Sequence, residues 1–177
     1  MGRDDDELRE LRFERLDSER MFRDALDEGE RAGRSFGEVV LEFLFRGDVI
    51  RVLVGDRAWT GKVVHAGAEV MTLETPAGAQ VDLAHEGVSA IRVVERSRTG
   101  GRAPAGPHPG TMIARLRELV LTGEAVTIGG SQLQPPLEGE VAAVAPSHIE
   151  LRTRDGGEWV VPLGNISYVV REAPAGG

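Results

Sequence analysis

The same succession of apolar positions occurs twice along this chain, once from Ser35 to Glu95 and again from Gly110 to Glu172. Each time a helical period comes first and a strand period follows. Phe36, Val39, Val40, Phe43 and Leu44 form one stripe of a 3.6-residue repeat, and Met112, Ile113, Leu116, Leu119 and Val120 form its counterpart. Ser35 with Glu38 has the form of a capping box at the first helix start, and Gly47 and Gly123 are placed to end the two helices in a left-handed conformation. A repeat of this kind predicts one small unit built twice, each a short helix followed by five short strands.

Beyond the helices the period becomes two. Ile50, Val52 and Val54 share a face in the first strand of the first copy, as Val126 and Ile128 do in the second. The second strands read Trp59-x-Gly61-x-Val63 and Leu137-x-Gly139-x-Val141. Glycine weakens a strand, so its presence at one register in both copies points to a sharp bend or a close approach of backbones. Third strands follow at Met71 and Leu73, and at Ile149 and Leu151. Turns at Pro76-Ala77-Gly78 and Asp155-Gly156-Gly157 lead to fourth strands, where Val81 and Leu83 align with Val161 and Leu163. Fifth strands carry Ile91 and Val93, and Ile166 and Tyr168.

This order, with an internal glycine in the second strand and Met71-x-Leu73 in the third, resembles the Sm-like family of SH3-like small barrels. The stretch VLVGDRAWTGKVVHAGAEVMTLE is similar to that family's first motif; EWVVPLGNISYVV is also similar to the end of a PRC-barrel domain. The resemblance implies a mainly β fold with some α: two tandem five-stranded barrels, each preceded by a short helix, plus a charged N-terminal helix. The expected divisions are an acidic helix at 1–34, a first barrel at 35–95, a flexible linker at 96–109 about which the barrels reorient, a second barrel at 110–172 and a tail at 173–177. It further implies that the fourth and fifth strands expose edges through which barrels pair, either within one chain or between chains. Pro162 removes one ladder donor from a fourth strand.

The family's base-reading residues are not matched. RNA-binding members carry an Asp or Asn between strands two and three, an Asn after the third-strand Met, and an Arg-Gly pair after strand four. Here those places hold Ala66, Gly67 and Ala68, then Thr72, then Ala84, His85, Glu86 and Gly87. The second copy has Ala145, Pro146 and Ser147, then Arg152, then Gly164 and Asn165. Charge argues the same way. The chain has 29 acidic and 21 basic residues and a net charge of -8, whereas phosphate binding relies on a basic surface. Nucleic acid is therefore a partner that net charge does not favour. A local basic patch remains compatible with it.

The one basic run without acidic residues is the junction, with Arg96, Arg98 and Arg102, a candidate anion or partner contact in what otherwise reads as a solvated linker. Gln134, Pro135 and Pro136 lengthen the first hairpin of the second copy and form a candidate recognition loop. In residues 1–34, twelve acidic residues stand against eight basic ones, and Leu8, Leu11, Phe22, Ala25 and Leu26 share a face that Arg15 and Ser18 interrupt. That predicts a helix docking on a barrel or a partner, short of a coiled coil.

Catalytic chemistry has no visible carrier. His65, His85, His108 and His148 show no metal-ligand spacing, Ser131 stands outside any nucleophile-elbow pattern, and there is no phosphate-binding glycine loop. Zero cysteines exclude disulfides and fit a reducing compartment, and neither a signal sequence nor a membrane-length apolar run is seen, so a cytoplasmic protein is expected. Trp59 and Trp159 occupy different places in the two copies and read as packing groups. The expectation is a non-enzymatic assembly or regulatory adaptor that acts through protein contacts or self-assembly at strand edges, without metal or cofactor. The alternatives are an Sm-like RNA- or DNA-binding regulator with a non-standard surface, and a PRC-barrel-type interaction module.

Overall fold

Val40 and Leu44, in the middle of the first apolar stripe, are fully buried, and they anchor helix α1 (Phe36–Arg46). The helix ends at Gly47, whose φ of 69° is open to glycine at little cost. Strands β1 (Val49–Val54), β2 (Arg57–Ala66), β3 (Val70–Glu74) and β4 (Gln80–Ala84) follow, then a helical turn (His85–Gly87) and β5 (Ala90–Glu95). The second copy repeats the order: α2 (Met112–Thr122), β6 (Ala125–Gly130), β7 (Leu133–Val144), β8 (His148–Arg152), β9 (Glu158–Pro162), a helical turn (Leu163–Asn165) and β10 (Tyr168–Arg171). Thr111 caps α2 by accepting a 3.2 Å hydrogen bond from the Ala114 amide, and Gly123 closes it with φ 63°. This computed structural model describes residues 33–101 and 110–172. The expected helix at 1–34 lies almost wholly outside the described residues, as do Arg102 and the tail at 173–177.

All ten strands join one antiparallel sheet in the order β5-β1-β2-β3-β4-β10-β6-β7-β8-β9. Each copy thus contributes five strands in the same internal order, fifth-first-second-third-fourth. The fourth strand of the first copy pairs with the fifth of the second, with Tyr168 opposite Leu83 and Val169 opposite Asp82. The two copies belong to a single compact unit, Phe36–Gly177. Strand pairing holds them together, and they are not left to reorient about the linker. The linker's first residues are tied as well, by a hydrogen bond from the Ser97 amide to Asp48 Oδ1 (2.9 Å) and one from the Gly101 amide to the Phe45 carbonyl (2.8 Å).

Gly61 and Gly139 occupy equivalent registers, opposite Ile50 and Val126. A Cβ at Gly61 would run into the Glu74 carbonyl oxygen, and one at Gly139 into that of Arg152. The close backbone approach expected from the glycine spacing is present in both copies. Each second strand also shifts register just past this point, at Val63/His65 and Val141/Ala143, as a strand does when it bends sharply.

The later alignment of the copies differs from the sequence expectation by two residues up to the fourth strands and by three in the fifth. Leu73 pairs with Val81 and Leu151 with Trp159, so Val81 corresponds to Trp159 and Leu83 to Val161. In the fifth strands the difference is three: Val52 pairs with Ile91 and Ile128 with Val169, so Val169 is the counterpart of Ile91 where Ile166 was expected, and Tyr168 turns to the opposite face, into the first core. Thr72 corresponds to Glu150, where Arg152 was expected. In the fourth strands a slip of two keeps every side chain on its own face, so alternation alone does not detect it, whereas the slip of three in the fifth exchanges the faces.

Two hydrophobic cores result, one per copy, and they exchange residues at the shared strand pair. Tyr168 of β10 packs into the first core beside Leu44, Met71 and Leu83, its ring 4.5 Å from that of Trp59. Val70 of β3 packs into the second, beside Leu116 and Val169.

Candidate functional site

The junction of the two copies is built around a buried acid. Asp82 lies between Val81 and Leu83 on β4, so its side chain points away from its own core and into the seam, where none of it is exposed. Thr72, directly across on β3, donates a 2.6 Å hydrogen bond to Asp82 Oδ1. Arg115 on α2 donates from Nε to Oδ2 at 3.0 Å, and Arg171 on β10 places its Nε 3.3 Å from the same oxygen. Arg115 also reaches Glu118. Burial pulls the Arg115 pKa down, but the Asp82 and Glu118 carboxylates outweigh that and hold it above its ordinary value. An acid of the first copy is thereby neutralised by two cations of the second. Asp82, Arg115 and Arg171 did not stand out in the sequence, and Thr72 did so only as a departure from the base-reading pattern.

Among the described residues, the remaining fourth and fifth strands have no partner across their outer edges. β9 presents Trp159 and Val160, 51% and 66% exposed, and β5 presents Val94 at 54%. The positions on β4 equivalent to Trp159 and Val160 are Val81, buried in the first core, and Asp82, buried in the seam. Among the described residues, the same sheet edge is therefore covered in one copy and bare in the other.

Arg96 and Arg98 line a cleft with Lys62, Glu95 and Thr99, at the foot of α1. Two of the three candidate arginines are brought together there, joined by the chain's only lysine. The candidate loop Gln134–Pro136 reaches across to the first copy, where Gln134 Nε2 donates to Asp56 Oδ1 at 3.2 Å and the loop borders a groove with Arg57 and Tyr168. Burial raises the Tyr168 phenol pKa. This loop braces the seam on the side opposite Asp82.

The loop after β2 is covered by the chain itself. The Glu69 amide donates to the Gly110 carbonyl at 2.9 Å, and a Cβ on Gly67 would collide with Gly110. His85 sits behind that loop, its ring edge-on to Phe36 at 5.1 Å with Nε2 unpartnered. Burial lowers its pKa, against smaller opposing effects of the Ala68 backbone and Glu69. The unfolded chain therefore takes up this proton first, near the usual histidine value of about 6.5, so the stability His85 contributes is complete above that pH and is lost as pH falls toward the folded value. Thermal unfolding followed from about pH 7.5 to about 5.5 should show a midpoint that declines less in His85→Gln than in the parent. Equal declines would contradict this assignment.

Among the described residues, no group of three or more His, Asp or Glu is placed to hold a metal ion, and no helix is long and apolar enough to cross a membrane. No family model, curated protein or solved structure matches the chain.

Proposed function

We propose that this chain is a non-enzymatic assembly or regulatory adaptor made of two Sm-like small barrels, and that it works through protein contacts at its strand edges, including contacts with copies of itself. The observation that carries this reading is the unequal use of equivalent edges. One fourth-to-fifth strand pair is formed inside the chain, while among the described residues β9 and β5 have no strand partner on their outer edges and expose Trp159, Val160 and Val94. An open, apolar strand edge is a template for another strand unless something blocks it. A chain with one free fourth strand and one free fifth strand can add copies of itself head to tail, and such an addition closes or propagates. The absence of the family's base-reading residues and the covered loop after β2 also favour protein over RNA as the partner.

Tagged and untagged copies, mixed and purified on the tag, test the reading. The untagged chain should be retained whether or not nuclease is present. Loss of the untagged chain under both conditions contradicts self-assembly.

A second reading, an Sm-like nucleic-acid-binding regulator, draws on the cleft where Lys62, Arg96 and Arg98 converge. It requires labelled single-stranded RNA to bind with an affinity that falls steeply with salt and drops in the Arg96→Ala/Arg98→Ala variant. Binding unchanged by that variant removes it.

A further inference from the structure

The buried charge cluster of the inner seam has an apolar twin spread over the two open edges. Val160 on β9 pairs with Glu150 as Asp82 on β4 pairs with Thr72, so Val160 stands where Asp82 stands. Val93 on β5 lies two residues after Ile91, as Arg171 lies two after Val169, so Val93 stands where Arg171 stands. Val39 precedes the helix-ending Gly47 by the same number of residues as Arg115 precedes Gly123. All three charged positions are valine at the outer edges. Glu42, the counterpart of Glu118, is paired with Arg46 on its own helix, where Glu118 is paired with Arg115.

Resting on the self-assembly reading above, we propose that β9 of one copy pairs with β5 of the next in the register of the inner seam, and that the exchange of Asp82, Arg115 and Arg171 for Val160, Val39 and Val93 decides which edges meet. In that register Val161 faces Ala90, Val160 faces Ile91 and Trp159 faces Arg92. Val160 is then buried beneath Val39 and Val93 of the neighbouring copy, as Asp82 is buried beneath Arg115 and Arg171. Trp159 gains a cation across the strand pair. Pro162 cannot reproduce the 3.0 Å hydrogen bond that the Ala84 amide makes to the Ser167 carbonyl, so the outer seam has one fewer bond and closes at the end of β9.

Crossed pairings are excluded by charge. β4 set against β5 would bury Asp82 against two valines with no cation, and β9 set against β10 would leave Arg115 and Arg171 facing Val160. A buried charge without its partner is strongly unfavourable, while an all-charged or an all-apolar set is tolerated. The chain therefore has two matched seams, one internal with Asp82, Arg115 and Arg171 at its centre, and one between copies with Val160, Val39 and Val93 in those places and Glu150 beside them.

Two variants test this together. The first, Glu150→Thr/Val160→Asp, gives β9 the inner seam's acid. The second, Val39→Arg/Val93→Arg, gives the other edge its cations. Each alone should sediment at the mass of a single chain with the far-UV circular dichroism of the parent, because each has one edge that no longer matches its own other edge. Mixed in equal amounts they should assemble at one-to-one stoichiometry into species with an even number of chains, in which acid-to-arginine seams alternate with valine-to-valine seams. Recovery on mixing also shows that both variants are folded. If the parent assembles and either variant alone keeps the assembled mass, or if the mixture stays at the single-chain mass, the proposed seam is wrong and self-assembly through other contacts stands. If the parent itself sediments as a single chain, the self-assembly reading fails and this inference with it.

Discussion

Asp82→Asn should unfold with a free energy lower than the parent's by about 3 to 5 kcal/mol, because it leaves the Arg171 guanidinium in the seam without its carboxylate and Arg115 with only the partly exposed Glu118. For a chain of this length that corresponds to a fall of about 10 °C in the unfolding midpoint. Removing the acid alone is harmful for a different reason from the one that makes the cluster useful. The attraction between its members is offset by the cost of taking them out of water, and what remains when one member goes is an uncompensated charge. Replacing the whole set should therefore restore most of the loss. Asp82→Val/Arg115→Val/Arg171→Val, which copies the residues found at the open edges, should come within about 1 kcal/mol of the parent in denaturant unfolding. A triple variant as unstable as the single one would show that the cluster contributes net stability and is more than a matching device. An Asp82→Asn variant within about 0.5 kcal/mol of the parent would show that the seam is not closed around this residue.

The second large effect is expected at the paired glycines. Gly61→Ala and Gly139→Ala each force a methyl group into a backbone carbonyl, of Glu74 and Arg152 respectively, and a backbone cannot turn aside as a side chain can. Each should cost about 3 kcal/mol, at the upper end of ordinary overpacking. Gly164→Ala is the matched control. Nothing lies within 4 Å of its Cβ position and its φ is not positive, so a change of no more than about 0.5 kcal/mol is expected. Denaturant unfolding of the three variants side by side checks the claim, and similar losses in all three would remove the carbonyl contact as the cause.

These glycines were legible in the sequence because they break a strand pattern at the same place twice. A repeated exception to alternation is informative in a way that alternation is not. The fourth strands illustrate the contrast, since Trp159-x-Val161-x-Leu163 offers two equally good matches to Val81-x-Leu83, and only the pairing of Leu151 with Trp159 selects between them. The helix stops at Gly47 and Gly123 were legible for the same reason as the strand glycines, each needing a conformation that few residues adopt.

The seam was not legible, and its chemistry explains why. Asp82 sits between two apolar residues on an alternating strand, a place normally given to the solvated face. Arg115 adjoins Leu116 on a helix whose apolar stripe is complete without it. Arg171 is a charge at the end of a short strand. Each looks ordinary for a surface because each is a surface residue of its own copy, and burial comes only when one copy is laid against the other. Edge pairing was foreseen from the family resemblance, but the residues that make the internal pair charged and the open pair apolar become visible only once the register is known. The candidate residues Arg96 and Arg98 were found from composition, and the fold adds Lys62 to them from a strand distant in sequence. Gln134 belongs to the candidate recognition loop, and its hydrogen bond to Asp56 is a bracing contact between copies.

The mass of the intact chain in solution, measured by sedimentation equilibrium over a wide range of concentration, bears most directly on whether the open edges meet. A discrete multiple of the 19.1 kDa single-chain mass, reached as concentration rises and unaffected by nuclease, is the result expected if β9 of one copy takes β5 of the next. A single-chain mass throughout that range would contradict it.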